Sequence, residues 1–432
     1  MTNQTKPTVR SLALDSLLAI ERDGKYSNLE ISARLDRNDL SAADRALYTR
    51  LVYGVTERRI TLDYVIGQYA SRPTETLDPL VRDSLRLGLY QLLFMDKIPA
   101  HAAVDESVRL VPRAASGFVN AVLRTFLRNE KAIRWPDKSD FSAYLSVKES
   151  VPVPLAEHFL RICGNAETER LLAAMNEEPA VCLRVNTLRM TAEEAAERLG
   201  GTVSAWARDI VRVEAFSETV RTGLENGDWF VQDEASRAAT MALGAEPGET
   251  VADTCACPGG KTFSAALDMH NDGVIHACDL HRNKLSLIEK GAERLGVRIL
   301  DTAERDARQP NEAWVGRCDR VLCDAPCSGL GVFAKKPEIR YKNLEELGRL
   351  PSIQRDILDG ASAYVKPGGV LVYSTCTLNP AENESVVRAF LASHADFALV
   401  PDDALLRDGM RTFWPHRDGC DGFFCARMIR KQ

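Results

Sequence analysis

Along the first 130 residues, apolar positions recur at helical spacing. Val9, Leu12, Ala13, Leu17 and Ile20 share one face, as do Leu47, Leu51 and Val55, then Val104, Val108 and Val111, then Val119, Leu123, Phe126 and Leu127. Asp23-Gly24, Arg72-Pro73 and Ile98-Pro99 punctuate these runs. Ser41 followed by Asp44 is a capping-box variant that opens a helix predicted over residues 44–55. The pattern predicts an all-helical domain over residues 1–130 with five to seven helices. Residues 131–150, with Trp135-Pro136-Asp137-Lys138, are polar and mixed and predict a linker.

The period then changes. Val181-Cys182-Leu183-Arg184-Val185-Asn186 alternates like a strand, and 209–213 and 229–232 add two more between short helical patterns. Residues 151–235 therefore predict a small α+β module. From 236 to 432 the rhythm is strand, glycine-rich loop, helix. Strands are predicted at 251–255, 274–279, 297–301, 320–324, 369–375, 397–401 and 422–429, with helical patterns including 282–295, 352–365 and 384–393. Such alternation predicts βαβ units and a mostly parallel, seven-stranded α/β sheet. The last segments are close enough for an antiparallel edge hairpin.

Composition narrows the class. The chain has 432 residues, 45% hydrophobic and 27% charged, enough for two or three domains with sizeable cores. No run approaches 18 apolar residues and Met1–Arg10 is polar, so a cytoplasmic protein with no membrane partner is expected. Eleven cysteines form an odd set in a long chain, several inside strand-like runs; reduced thiols are expected rather than a disulfide framework. A net charge of −6 gives no global footprint for nucleic acid. Residues 1–130 carry 18 Lys+Arg against 16 Asp+Glu, so the rest holds the acidic excess and any such partner depends on local patches.

The candidate chemistry sits at the ends of predicted strands. Asp253-Thr254-Cys255-Ala256-Cys257-Pro258-Gly259-Gly260-Lys261-Thr262 is a strand running into a glycine-rich turn that opens a helix, a place where backbone N–H groups meet a ligand. It is not a P-loop, because Cys255 stands where that loop needs its first glycine. Asp279 ends the next strand about 20 residues on, where an acid can accept both ribose hydroxyls. Asp306 follows the third strand and could bind an adenine amino group. Together they favour a nucleoside-containing cofactor, and a dinucleotide remains open on these residues alone.

Two further strands deliver thiols: Asp324-Ala325-Pro326-Cys327-Ser328-Gly329 and Ser374-Thr375-Cys376-Thr377. Carboxyl ends of parallel strands are where ligands bind, and a thiolate is a strong nucleophile near neutral pH. Two of them beside an acid point to covalent chemistry. A zinc site from Cys255, Cys257, Cys323, Cys327 and Cys376 is the alternative, but no C-x₂-C pair or nearby histidine completes one, so no metal is expected. Lys335, Lys336, Arg340 and Lys342, interleaved with Phe333 and Tyr341, suit phosphate contact and base stacking, or else form a solvated charged loop.

At these residues the sequence resembles the RNA cytosine-5 methyltransferases, specifically the RsmB (Fmu/Sun) branch, over nearly the whole chain. The resemblance lies in Cys257-Pro258-Gly259-Gly260-Lys261-Thr262, Asp324–Gly329, Thr375-Cys376, Asp421-Gly422-Phe423-Phe424 and Arg184-Val185-Asn186-Thr187. Asp44-Arg45-Ala46-Leu47, Leu51–Val55 and Gly117–Arg124 resemble a NusB-type RNA-binding domain and select this branch. Cys257 stands where the family usually has alanine. The resemblance implies a Rossmann-like class I methyltransferase domain over 236–432, a NusB-like domain over 1–130, and S-adenosylmethionine held by Cys255–Lys261, Asp279, Asp306 and Asp324, the last also in a catalytic role. It implies methylation of carbon 5 of a specific cytosine in 16S small-subunit rRNA, free or in an assembly intermediate, by a monomer. Cys376 would be the nucleophile that adds to carbon 6. Cys327 would assist proton loss and release, Asp324 would hold the ring's N3 and amino group, and Lys335, Lys336, Arg340, Tyr341 and Lys342 would contact RNA. Competing readings are another RNA such as tRNA, a DNA cytosine-5 methyltransferase using the Pro-Cys thiol, and a non-catalytic RNA-binding assembly factor.

Overall fold

In the computed structural model, which describes residues 7–401 and 405–432, the helical periodicity of the N-terminal third becomes seven α-helices. Among the described residues these are Val9–Asp23, Ser27–Arg37, Ala42–Glu57, Arg59–Tyr69, Pro79–Phe94, Ala100–Arg109 and Arg113–Arg128. Ser41 caps the third, its hydroxyl accepting from Asp44 N–H. The stripes read from sequence supply the core: Leu12, Leu17, Leu51, Val55, Val104, Val119, Leu123 and Phe126 are all buried, each worth about 1.5–3 kcal/mol of transfer free energy.

The stretch expected to be a linker is structured. Asp140 caps a helix, Phe141–Glu149, by accepting from Ala143 N–H. Tyr144 and Leu145 are buried, and Thr61 Oγ1 donates to Val147 O at 2.6 Å. The polar run before Asp140 hid this apolar face. The next helix, Val153–Ala174, is interrupted at Gly164, whose φ of 73° is left-handed. It packs within the same compact unit, residues 1–177 with 333–344.

The second unit, residues 178–332 with 345–432, holds two sheets. The smaller is built from β1 (Val181–Val185), β2 (Thr202–Val203), β3 (Ile210–Val213) and β4 (Trp229–Val231), antiparallel in the order β2-β3-β1-β4. Its Arg184-Val185-Asn186 motif serves as structural glue. Asn186 Nδ2 donates to the carbonyls of Gly227 and Leu295, both at 2.8 Å, and the buried Arg184 pairs with Asp209 and Asp268.

The larger sheet contains β5 (Thr250–Asp253), β6 (Val274–Asp279), β7 (Leu300–Glu304), β8 (Cys318–Asp324), β9 (Val365–Thr375), β10 (Phe397–Leu399), β11 (Met410–Phe413) and β12 (Phe423–Arg430). The order is β10-β12-β9-β8-β5-β6-β7, with β11 added on β12; β5 through β9 are parallel and β12 is antiparallel to β9 and β10. β11 is one strand more than the pattern predicted. The third strand begins three residues later than expected, because Val297 is used elsewhere: its N–H closes the preceding helix on Ala292 O after Gly296 at φ 74°. The chain leaves β5 to one side, through β6 and β7, and returns to the other at β8. That reversal opens a crevice at the strand ends.

Candidate active site

The glycine-rich turn lies where β5 passes into helix Gly260–Asp268. Gly259 has φ 109°, and a Cβ there would strike the Phe263 ring. No side chain caps this helix, so its first N–H groups remain available as donors. A Cβ on Gly260 would meet nothing within 4 Å, leaving open space over the turn. The Cys257-Pro258 peptide is cis. Asp279, at the end of β6, accepts from His281 N–H at 3.0 Å through one oxygen. Asp306 instead takes Arg308: its carboxylate accepts from Nε at 2.9 Å and Nη2 at 2.6 Å, and these bonds hold it below the usual carboxylate range. Open space, uncapped N–H groups and an acid one strand over are what a nucleoside-bearing cofactor requires.

Parallel pairing of β8 with β9 sets Asp324 opposite Ser374 and brings the two thiol loops side by side. Cys327 Sγ and Cys376 Sγ lie 3.2 Å apart, both half-buried and neither in a disulfide. Hydrogen bonding to Cys376, then burial, then the charges of Cys376, Glu382 and Asp324 push the Cys327 thiol well above its ordinary pKa. Asp324 is held at both oxygens: Lys261 Nζ donates to Oδ2 and Ser374 Oγ to Oδ1, each at 2.7 Å. Burial would lower the Lys261 pKa, but the Asp324 carboxylate outweighs it and the ammonium is raised overall. Lys261, expected only as part of the cofactor turn, thus reaches across to the acid beside the thiols. Its Nζ also lies over the Phe423 ring at 5.1 Å.

Residues 240–429 match the 16S rRNA methyltransferase RsmB/F family, residues 7–128 the NusB family, and residues 152–210 the ferredoxin-like domain of RsmF/B-like methyltransferases. The chain is 36% identical to a probable ribosomal RNA small subunit methyltransferase B of Bacillus subtilis, over 99% of each chain. The chain belongs to the RsmB/F methyltransferase family. It is 32% identical to the ribosomal RNA small subunit methyltransferase B of Erwinia tasmaniensis, over 95% of this chain and 96% of that one. The crystal structure of PH0851 superposes with a TM-score of 0.81 at 28% identity, covering 99% of each chain. As in the rest of the RsmB/F family, methyl transfer here depends on S-adenosylmethionine.

Not every residue expected at the site is found there. Arg340 is fully buried in the helical unit, where Nη1 donates to Glu57 O and Asn176 Oδ1, both at 3.0 Å, and its guanidinium lies 4.8 Å from the Phe333 ring. Tyr341 OH donates to Thr56 O at 2.8 Å, and the Arg59 guanidinium covers its ring at 3.7 Å. A buried guanidinium facing carbonyls and a ring already covered by a cation are structural, so the expected RNA contacts of Arg340 and Tyr341 are corrected. Lys336 is exposed, and Lys335 and Lys342 are half-buried. Among the described residues no three His, Cys, Asp or Glu side chains gather closely enough to hold a metal, and no helix is long and apolar enough to cross a membrane. The sequence assigned no role to Glu382, Gln354 or Ser374; Ser374 lies in the quoted Ser374-Thr375-Cys376-Thr377 segment and Glu382 in the turn after Asn379-Pro380, while Gln354 carried no signal.

Asp253, under the glycine-rich turn, is fully buried and accepts from Thr262 Oγ1 at 2.7 Å. Burial pushes its carboxyl up to about 7 from 3.8, despite the Thr262 hydrogen bond. A pKa raised on folding favours the folded state while the group is protonated. That stability is fully present below about pH 4 and is lost as pH rises through 7. The loss is up to about 4 kcal/mol for a shift of this size. Asp253→Asn removes the titration. Denaturant unfolding at pH 5.5 and 8.5 is expected to show a smaller fall in stability for the variant than for the parent; parallel falls would contradict it.

Proposed function

We propose that this chain transfers a methyl group from S-adenosylmethionine to carbon 5 of a cytosine in 16S rRNA through a covalent thioether adduct. The observation that carries the reading is the thiol pair, 3.2 Å apart at the ends of neighbouring strands, beside an acid anchored by Lys261 and Ser374. Carbon 5 of cytosine is too weak a nucleophile to attack unaided. Addition of the Cys376 thiolate to carbon 6 turns the ring into an enamine whose carbon 5 can attack, and Asp324 favours that step by accepting from the amino group and from protonated N3, so stabilising the protonated ring. When bound, the cofactor supplies an electrophilic methyl on a sulfonium. The Cys255–Lys261 turn and Asp279 hold it, with Asp306 reaching the adenine edge if Arg308 yields, while the chain aligns the reacting atoms and excludes water. Cys327 assists loss of the carbon 5 proton and departure of the Cys376 sulfur.

The target base must leave its stack to reach such a crevice, which favours an unpaired nucleotide. Lys335, Lys336 and Lys342 are the remaining candidates for RNA phosphate contact. The names of the relatives support rRNA as the substrate. The test is transfer of labelled methyl to naked 16S rRNA, small-subunit particles, tRNA and DNA, followed by mapping of the modified base. A 5-methylcytosine in 16S rRNA is expected; labelling confined to tRNA or DNA would overturn the reading.

A further inference from the structure

The loop that carries Cys327 has no regular secondary structure of its own: residues 325–329 lie between β8 and a turn. Ala325 N–H donates to Ser374 O at 2.9 Å and Ser328 Oγ shares a hydrogen bond with Thr377 Oγ1 at 2.6 Å, but the group that ties both flanks of Cys327 is a carboxylate from the other thiol's loop. Glu382 is fully buried, and its Oε2 accepts from Ser328 N–H and from Gln354 Nε2, both at 2.9 Å. The same Gln354 amide nitrogen donates to Pro326 O at 3.0 Å. Both partners are acceptors, so the amide orientation is decided. Oε1 accepts from Asn379 Nδ2 at 2.9 Å. The residues on either side of Cys327 are therefore both tied, directly or through Gln354, to one carboxylate. Cys376 is held differently: Thr375 lies in the ladder opposite Phe424, Gly331 N–H donates to Cys376 O at 3.0 Å, and Tyr373 OH donates to the backbone carbonyl of Glu382 at 2.7 Å. None of these uses the Glu382 side chain.

We propose that Glu382 is a positioning residue that sets Cys327 for the release half of the reaction and contributes little to the attack by Cys376. This rests on the roles given to the two thiols above. A buried carboxylate accepting three hydrogen bonds is a stiff tether, since each donor released would be left unpaired in the interior. Its negative charge adds to the hydrogen bond with Cys376 and to burial, which are the larger causes of the raised Cys327 pKa. In Glu382→Gln the shape persists, but one oxygen becomes an amide that cannot accept, and the charge is gone.

The experiment compares the full-length parent, Glu382→Gln and Cys327→Ser on 16S rRNA with labelled S-adenosylmethionine. Steady-state turnover is read beside the fraction of protein migrating as an RNA adduct on a denaturing gel. Cofactor affinity and thermal midpoint serve as checks of the fold. Glu382→Gln is expected to bind cofactor within about twofold of the parent, to lose about 10–100-fold in kcat, and to accumulate adduct as Cys327→Ser does. If Cys327→Ser traps adduct while Glu382→Gln does not, or if Glu382→Gln turns over like the parent, the inference is overturned and the thiol roles stand. If Cys327→Ser itself traps nothing, the assignment of the thiols falls and takes the inference with it. A Glu382→Gln protein that has lost cofactor binding also counts against it, because a role confined to release would leave binding intact; Gln354→Ala, which cuts the tie to Pro326 and one of the three donors to Glu382 but leaves Ser328 N–H and Asn379 in place, gives a second reading of the same split.

Discussion

Cys376→Ser is expected to lower methyl transfer by about 10⁴-fold or more, while Cys327→Ser forms methylated RNA slowly and accumulates a denaturation-resistant protein–RNA adduct. A serine hydroxyl is almost wholly protonated near neutral pH and cannot replace a thiolate in adding to carbon 6. The loss should not reflect misfolding. Cys376 is half-buried, and its backbone carbonyl remains tied to Gly331 N–H. Gly331 itself packs against Gly422 so closely that a Cβ would fall 1.9 Å from Gly422 O, so the local frame is set by backbone rather than by the thiol. Labelled-methyl assays and denaturing gels read both variants. The adduct appearing with Cys376→Ser instead would exchange the two roles.

Asp324→Asn should be nearly as damaging, for a different reason. It keeps the shape but removes the charge opposite Lys261, whose side chain is 12% exposed, and weakens acceptance from Ser374 Oγ. Leaving a buried ammonium without its partner costs more than the pair contributes when intact. Because Asp324 retains 29% of its side-chain exposure, the expected destabilisation is roughly 2–3 kcal/mol, below that of a fully buried pair. Activity should fall about 10²–10³-fold, since the ring loses the group that favours addition. Lys261→Met in the Asp324→Asn background should restore much of the stability without restoring transfer. A double variant no more stable than Asp324→Asn would show that the ion pair is not the source of the loss.

Part of this site is visible in one dimension. The glycine-rich turn, Asp279 and both thiols follow from residue type placed at the ends of apolar runs. Their spacing along the chain reflects strands and helices of ordinary length. The limits of that reading show where side chains reach far along the chain. Lys261 and Asp324 are 63 residues apart, and nothing local distinguishes a lysine that contacts cofactor from one that crosses to β8. Arg340 and Tyr341 look like a basic-aromatic contact surface, yet they turn into the helical unit to meet Glu57, Asn176 and Thr56. The helix at Phe141–Glu149 was masked by the polar run before it.

What the chain's own pattern determines is therefore the inventory of elements, the class of fold and the presence of two strand-end thiols, because helical and strand periods are local properties. It leaves those thiols equivalent. Tertiary structure separates them. Parallel pairing of β8 with β9 brings the sulfurs within 3.2 Å, so that hydrogen bonding to Cys376 and burial raise the Cys327 pKa, and the buried Glu382 then tethers the Cys327 loop. The difference comes from burial and from hydrogen bonds formed across the fold, which exist only once the strands have chosen their neighbours.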